Sequence, residues 1–203
     1  MASGRIVFFG TAAVCLPFLA ELHAGFSLTR IITQPDATGG RHHRSLVPPV
    51  RTFADRHGIP VHQPESLRDP SLAELLRQDD IDLGVVIAYG RLIPEAIIGI
   101  PRHRIVNVHF SLLPAYRGAA PVARALENGE RQTGISVFEI ERRLDAGPVW
   151  SQLPVAIAPD ETAGELTERL GRLGAPFLLA TIRQILAGAT RPIPQAEERA
   201  TLA

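Results

Sequence analysis

Apolar residues in this chain come in short dense runs separated by polar, Gly-rich and Pro-rich stretches. The runs at 5–10, 28–33, 60–62, 82–88 and 104–109 are brief, and several are too continuously apolar to have a wet face. Such runs predict strands of a parallel sheet covered on both sides. Segments near 17–24, 49–57, 71–78 and 94–99 carry helical spacing; Pro17, Pro49 and Pro94 suit first-turn positions, and Gly25 and Gly58 suit C-terminal stops. This βαβ alternation predicts an α/β fold with a Rossmann-like, mostly parallel sheet flanked by helices. After a helix near 119–128, the runs 135–140 and 149–157 flank the turn Asp145-Ala146-Gly147-Pro148 and predict an added antiparallel hairpin. A longer amphipathic helix is expected over 162–186, capped by Asp160 and Thr162 and broken or kinked at Gly174 and Pro176. Residues 188–203 are rich in Pro, Ala and charge and read as a linker-like tail behind a catalytic domain of residues 1–187.

Composition narrows what such a fold can do. At 203 residues, 45% apolar and 21% charged, the chain can bury one sizeable core. Its 21 acidic and 21 basic residues balance, so there is no global positive field of the kind that dominates nucleic-acid binders. Every basic residue is arginine, and the absence of lysine excludes a Schiff-base enzyme and a P-loop lysine. The segment Phe8-Phe9-Gly10-Thr11-Ala12-Ala13 supplies one glycine where a dinucleotide fingerprint needs three. The seven histidines lack ligand spacing, so no metal site is expected. A single cysteine, Cys15, forms no internal disulfide and fits a reducing compartment. The first strand begins at residue 5 or 6 and no apolar run approaches the roughly 20 residues of a membrane span, so the expected location is cytoplasmic, away from membranes.

The candidate chemistry sits at the end of the fifth run, Ile105-Val106-Asn107-Val108-His109. Strand alternation puts Ile105, Asn107 and His109 on one face, so a carboxamide and an imidazole point the same way. The strand ends in a Pro-containing loop, where open α/β sheets place their ligands. Taken alone, the pair equally suits a core histidine bonded to a backbone carbonyl beside an Asn that caps the following loop. Asp145 alone equally suits an ordinary turn aspartate before Ala-Gly. The segment Gly39-Gly40-Arg41-His42-His43-Arg44-Ser45-Leu46-Val47-Pro48-Pro49-Val50-Arg51 contains no acid and is a local basic loop, which could contact phosphate or simply be solvated.

A wider set of strings gives these residues a context. Asn107-Val108-His109-Phe110-Ser111-Leu112-Leu113-Pro114, Arg117-Gly118-Ala119-Ala120-Pro121 and Leu144-Asp145-Ala146-Gly147, in this order, resemble the folate-dependent formyltransferases. The likeness is greatest to the catalytic domain of the methionyl-tRNA formyltransferase branch, and it extends over Ile6-Val7-Phe8-Phe9-Gly10-Thr11, Thr33-Gln34-Pro35-Asp36 and Ala88-Tyr89-Gly90. It implies the formyltransferase fold and transfer of a formyl group from 10-formyltetrahydrofolate to an amine, without a metal. Onto this chain it carries Asn107, His109 and Asp145 as catalytic residues. For the folate it carries Ser111, Leu112, Leu113 and Pro114 on one loop, Ala88, Tyr89, Gly90, Arg91, Leu92 and Ile93 on another, and Leu144. The sequence departs at Phe110, where the family carries a smaller residue; alternation points Phe110 away from the catalytic face.

For the acceptor, the resemblance implies the amino group of initiator methionyl-tRNA, with Arg41 and Arg44 of the basic loop contacting it. A nucleotide-linked amino sugar is the alternative acceptor, and a third reading is a folate-binding or RNA-binding fragment without turnover. Relatives of this branch continue past such a linker into a second, tRNA-binding domain, so the chain is expected either to be the catalytic part of a longer enzyme, which a linker leading nowhere favours, or to work without that domain. A monomer is expected.

Overall fold

The computed structural model describes residues 4–39 and 44–203. They fall into two compact units, the first ending at Ile105 and the second beginning at Val106.

The first unit opens with β1 (Arg5–Gly10), a 3-10 turn (Ala13–Cys15) and α1 (Leu16–Gly25), followed by β2 (Ser27–Ile32). A short ribbon, β3 (Ala37–Gly39) and β4 (Arg44–Leu46), precedes α2 (Pro49–His57), β5 (Val61–His62), α3 (Pro70–Gln78), β6 (Leu83–Ile87) and α4 (Glu95–Ile98). β1 pairs in parallel with β2 on one side and β6 on the other, and β2 pairs in parallel with β5. Ile6 to Phe9 are at most 1% exposed and all of β6 is buried, so both faces of these strands are covered. That is why they read as unbroken apolar runs and not as alternating ones. The chain moves outward from β1 through β2 to β5 and then returns to β6 on β1's other flank. The order thus reverses between β1 and β6, and such a switch point, at the strands' C-terminal ends that lead into Thr11 and Ala88, is where open α/β sheets place their ligands.

The second unit carries most of β7 (Ile105–His109), then α5 (Pro121–Glu127), β8 (Gln132–Glu139), β9 (Val149–Ala156) and α6 (Ala163–Leu186). β8 pairs antiparallel with both β7 and β9, so the expected hairpin is present. The fold class is the one expected: a mostly parallel α/β sheet connected by helices, with an antiparallel addition. Thr162 caps α6 in a full capping box, its Oγ1 accepting from the Glu165 N–H at 3.3 Å while Glu165 accepts from the Thr162 N–H at 2.9 Å.

Two expectations are corrected. α6 runs unbroken through Gly174 and Pro176. A proline inside a helix costs about 3 kcal/mol, and here a single buried stripe through Leu170, Gly174, Leu178 and Ile182 outweighs it. The β3–β4 ribbon stands where a loop was read, because three-residue polar strands leave no period to detect. Among the described residues no helix is long and apolar enough to cross a membrane.

Residues 188–203, which read as a linker, are laid onto the second unit. Val149 and Ile193 exchange backbone hydrogen bonds at 2.8 Å each. The Arg117 N–H donates to the Thr201 carbonyl, and the Ala203 N–H to the Arg117 carbonyl, also at 2.8 Å.

Candidate active site

His109 ends β7 and is buried, with its ring edge-on to Phe138 at 6.4 Å. Nε2 lies 2.7 Å from the Tyr116 carbonyl. A carbonyl only accepts, so Nε2 carries a proton and donates, which leaves Nδ1 as the titrating nitrogen. Nδ1 faces Asp145 Oδ2 at 3.7 Å, with both side chains at most 10% exposed. The structure therefore satisfies the bland reading of His109, a histidine bonded to a backbone carbonyl, and adds a carboxylate on the other nitrogen. Burial pushes the His109 pKa below its usual 6.5, while Asp145 and the Tyr116 carbonyl pull it up. Between the two values the folded protein binds fewer protons than the unfolded chain. Stability from this group is fully present above 6.5 and is lost as pH falls from 6.5 through the lowered folded value.

Asp145 follows β8 and adopts φ +47°, a left-handed conformation that costs a non-glycine residue about 1 kcal/mol. Its Oδ2, the oxygen that faces His109, also accepts from the Gly118 N–H at 2.8 Å, which fixes the carboxylate. Tyr116 is left-handed too, at φ +59°, and its hydroxyl donates to Glu130 at 2.6 Å. Asn107 sits two residues before His109 on the same strand face and is half-buried. Among the described residues its carboxamide makes no hydrogen bond, so a donor and an acceptor are open beside the His109–Asp145 pair.

The loop after β7 is organised from within. The Ser136 hydroxyl, opposite His109 in the β7–β8 register, donates to the Ser111 carbonyl at 2.7 Å and accepts from the Leu113 N–H at 3.0 Å. Gln152 Nε2 donates to the Leu113 carbonyl at 2.8 Å. Ser111 and Leu113 are buried, with those backbone groups already engaged, so the surface this loop offers is that of the half-buried Leu112 and Pro114. Leu144 is 58% exposed beside Asp145. Sequence reasoning missed Ser136 and Gln152; a serine between Ile135 and Val137 was the available signal for the first, and Gln152, beside Ser151, gave none.

In the first unit, the segment 88–93 divides into anchors and exposed positions. Tyr89 is buried, and its carbonyl accepts from Gln34 Nε2 at 2.5 Å and Thr11 Oγ1 at 3.3 Å. Ile93 is buried, and Arg91 donates to the Pro64 and Glu65 carbonyls at 3.0 Å each. Ala88, Gly90 and Leu92 are the exposed members. Arg51 of the basic loop is bound to Asp36 and Gln63 at 3.0 and 2.8 Å. Arg41 lies outside the described residues, and Arg44 begins β4. Among the described residues no group of His, Cys, Asp or Glu could hold a metal ion.

Gly147 gives a direct check on the Asp145 turn. A Cβ there would sit 1.9 Å from the Glu139 carbonyl oxygen, a backbone atom that cannot swing away. Gly147→Ala is expected to destabilise the protein by about 1–3 kcal/mol, measured by denaturant unfolding. An unchanged midpoint would mean the turn lies elsewhere.

Residues 4–182 match the formyl transferase family, and the chain belongs to that family. A methionyl-tRNA formyltransferase of Halorhodospira halophila is 45% identical over 202 residues, covering 99% of this chain and 65% of that protein. One from Salinispora tropica is 44% identical over 200 residues, covering 98% and 65%. The chain thus spans 65% of the length of these curated relatives. Among solved structures, a phosphoribosylglycinamide formyltransferase from Bacillus halodurans superposes with TM-score 0.76 at 24% identity, covering 91% of this chain and 96% of that one. This last likeness shows the shared fold.

Proposed function

We propose that this chain is the catalytic part of an enzyme that transfers the formyl group of 10-formyltetrahydrofolate to the amino group of initiator methionyl-tRNA. One observation carries the chemistry: a buried imidazole with Nε2 committed to the Tyr116 carbonyl and Nδ1 turned toward Asp145, beside an open Asn107 carboxamide. The length shared with the methionyl-tRNA formyltransferases supports the acceptor.

The reaction needs an oxyanion donor, a proton acceptor and something to hold both. The amine nitrogen attacks the formyl carbon, and the carbonyl oxygen, gaining negative charge, takes a hydrogen bond from the Asn107 amide. The proton released by the amine passes to Nδ1 of His109, neutral at pH 7 because burial disfavours its cation. The imidazolium so formed lies 3.7 Å from Asp145, whose charge stabilises it. It then returns the proton to the folate nitrogen as the carbon–nitrogen bond breaks, giving the formamide and tetrahydrofolate with no net proton change. Folate contacts are assigned within each unit by resemblance: Ser111 to Pro114 and Leu144 in the second, Ala88 to Ile93 in the first. The exposed Ala88, Gly90 and Leu92 are the members free to touch a ligand, with Tyr89 and Ile93 anchoring them.

Assignment of tRNA to Arg41 and Arg44 has its own test. With zero formal net charge, affinity for tRNA should be weak and fall steeply with salt, because each phosphate contact releases counterions. Arg41→Ala with Arg44→Ala should abolish transfer to methionyl-tRNA and leave affinity for a folate analogue unchanged by calorimetry. If the double variant formylates methionyl-tRNA as well as the parent, the loop is a bystander and the amino-sugar acceptor moves ahead.

A further inference from the structure

Asp145 and Tyr116, the two left-handed residues on either nitrogen of His109, are both held by the C-terminal segment. Tyr116, whose carbonyl fixes the His109 tautomer, donates its N–H to Thr201 Oγ1 at 2.8 Å. Asp145 has its carbonyl held by Gln195 Nε2 at 2.9 Å, and the same amide nitrogen donates to the Gly147 carbonyl at 2.7 Å. The other end of that carboxamide is equally committed: Gln195 Oε1 accepts from Arg117 Nε at 3.1 Å and Nη2 at 2.8 Å. Arg117 is buried and further bound to Glu197, and the next residue along, Gly118, supplies the N–H that grips the Asp145 carboxylate. Gln195 therefore joins the loop that donates to Asp145 to the turn that carries it.

A strained conformation persists only where its surroundings over-determine it. Within the turn the Ala146 N–H donates to the Arg143 carbonyl at 3.4 Å, a long bond, and the shorter bonds on Asp145 at φ +47° come from Gln195 and Gly118. We propose that Gln195 is a positioning residue for formyl transfer: through paired bonds to the Asp145 and Gly147 carbonyls it holds the Asp145 carboxylate against Gly118 and facing His109, with Thr201 doing the same for the Tyr116 carbonyl. The inference rests on the reading of Asp145 above. Glu197 is the latch of this strap. Its hydrogen bonds to Arg117 and Arg143 hold its pKa at about 2, so the latch is complete above the ordinary carboxylate value of 4.5 and opens as pH falls toward 2.

Gln195→Glu separates positioning from packing, because it keeps the shape and the acceptors toward Arg117 but removes both donors to the carbonyls. In the full chain, Gln195→Glu is expected to speed Gly118 amide hydrogen exchange about 10-fold or more, read by nitrogen-15 NMR, since that N–H reports on Asp145. It should lower kcat for formyl transfer about 10-fold or more and move the KM for 10-formyltetrahydrofolate by less than about 2-fold, the signature of misplacement without lost binding. Thr201→Val is the second variant, should the first fail to fold, and is expected to speed exchange of the Tyr116 amide and lower kcat in the same way. Unchanged exchange, or unchanged kcat with exchange altered, overturns the proposal. If the parent transfers no formyl group to any acceptor, the functional reading falls, and Gly118 exchange still decides whether Gln195 sets Asp145.

Discussion

Replacing His109 with Ala, or Asp145 with Asn, is expected to lower formyl transfer by about 100-fold or more while leaving the fold intact, the usual contribution of a positioned acid or base. The two variants should differ in pH dependence. In the parent, kcat/KM is expected to fall on the acid side as Nδ1 protonates, at a pH below 6.5 because burial lowers the His109 pKa. Asp145 pulls that pKa up, so Asp145→Asn should move the acid limb lower still while depressing the plateau. His109→Ala should erase the limb. Near-parental turnover in either variant, measured by rate against pH, would refute the roles assigned to the pair.

Asn107→Ala carries the second large effect. Loss of one oxyanion donor raises a barrier by about 3 kcal/mol, or roughly 100-fold in kcat. The open carboxamide predicts that the loss falls on kcat, because the bond strengthens as charge builds on the formyl oxygen. A change confined to the KM for folate would make Asn107 a ligand contact. Because the side chain is half-buried and makes no hydrogen bond among the described residues, its removal should leave unfolding midpoints close to the parent's.

The strands were legible because burial on two faces leaves continuous apolar runs, as at Ile6 to Phe9 and Leu83 to Ile87. Asn107 and His109 were legible for the opposite reason: polar groups on a strand with apolar neighbours require a purpose. What holds them was not. Asp145's left-handed backbone and the grip of Gly118 on its carboxylate depend on residues 27 positions apart, and nothing local announces them. The tail read as a linker because its tie to the fold is not apolar, and Ile193 and Leu202 stay exposed. Gln195, Glu197 and Thr201 act through hydrogen bonds to loops about 80 residues earlier, and such bonds have no period. Pro176 misled for a related reason, since its local cost is visible in sequence and the stripe that offsets it is tertiary.

Acceptor choice and the role of His109 are decided together by transfer of labelled formyl from 10-formyltetrahydrofolate, in parallel, to methionyl initiator tRNA, a nucleotide-linked amino sugar and glycinamide ribonucleotide. Parent and His109→Ala chains should be compared. Label is expected on methionyl-tRNA, with little or none on the other two acceptors, and that transfer should be lost in the variant. Transfer preferring the amino sugar or the ribonucleotide, or transfer to methionyl-tRNA that survives loss of His109, would contradict the proposed function.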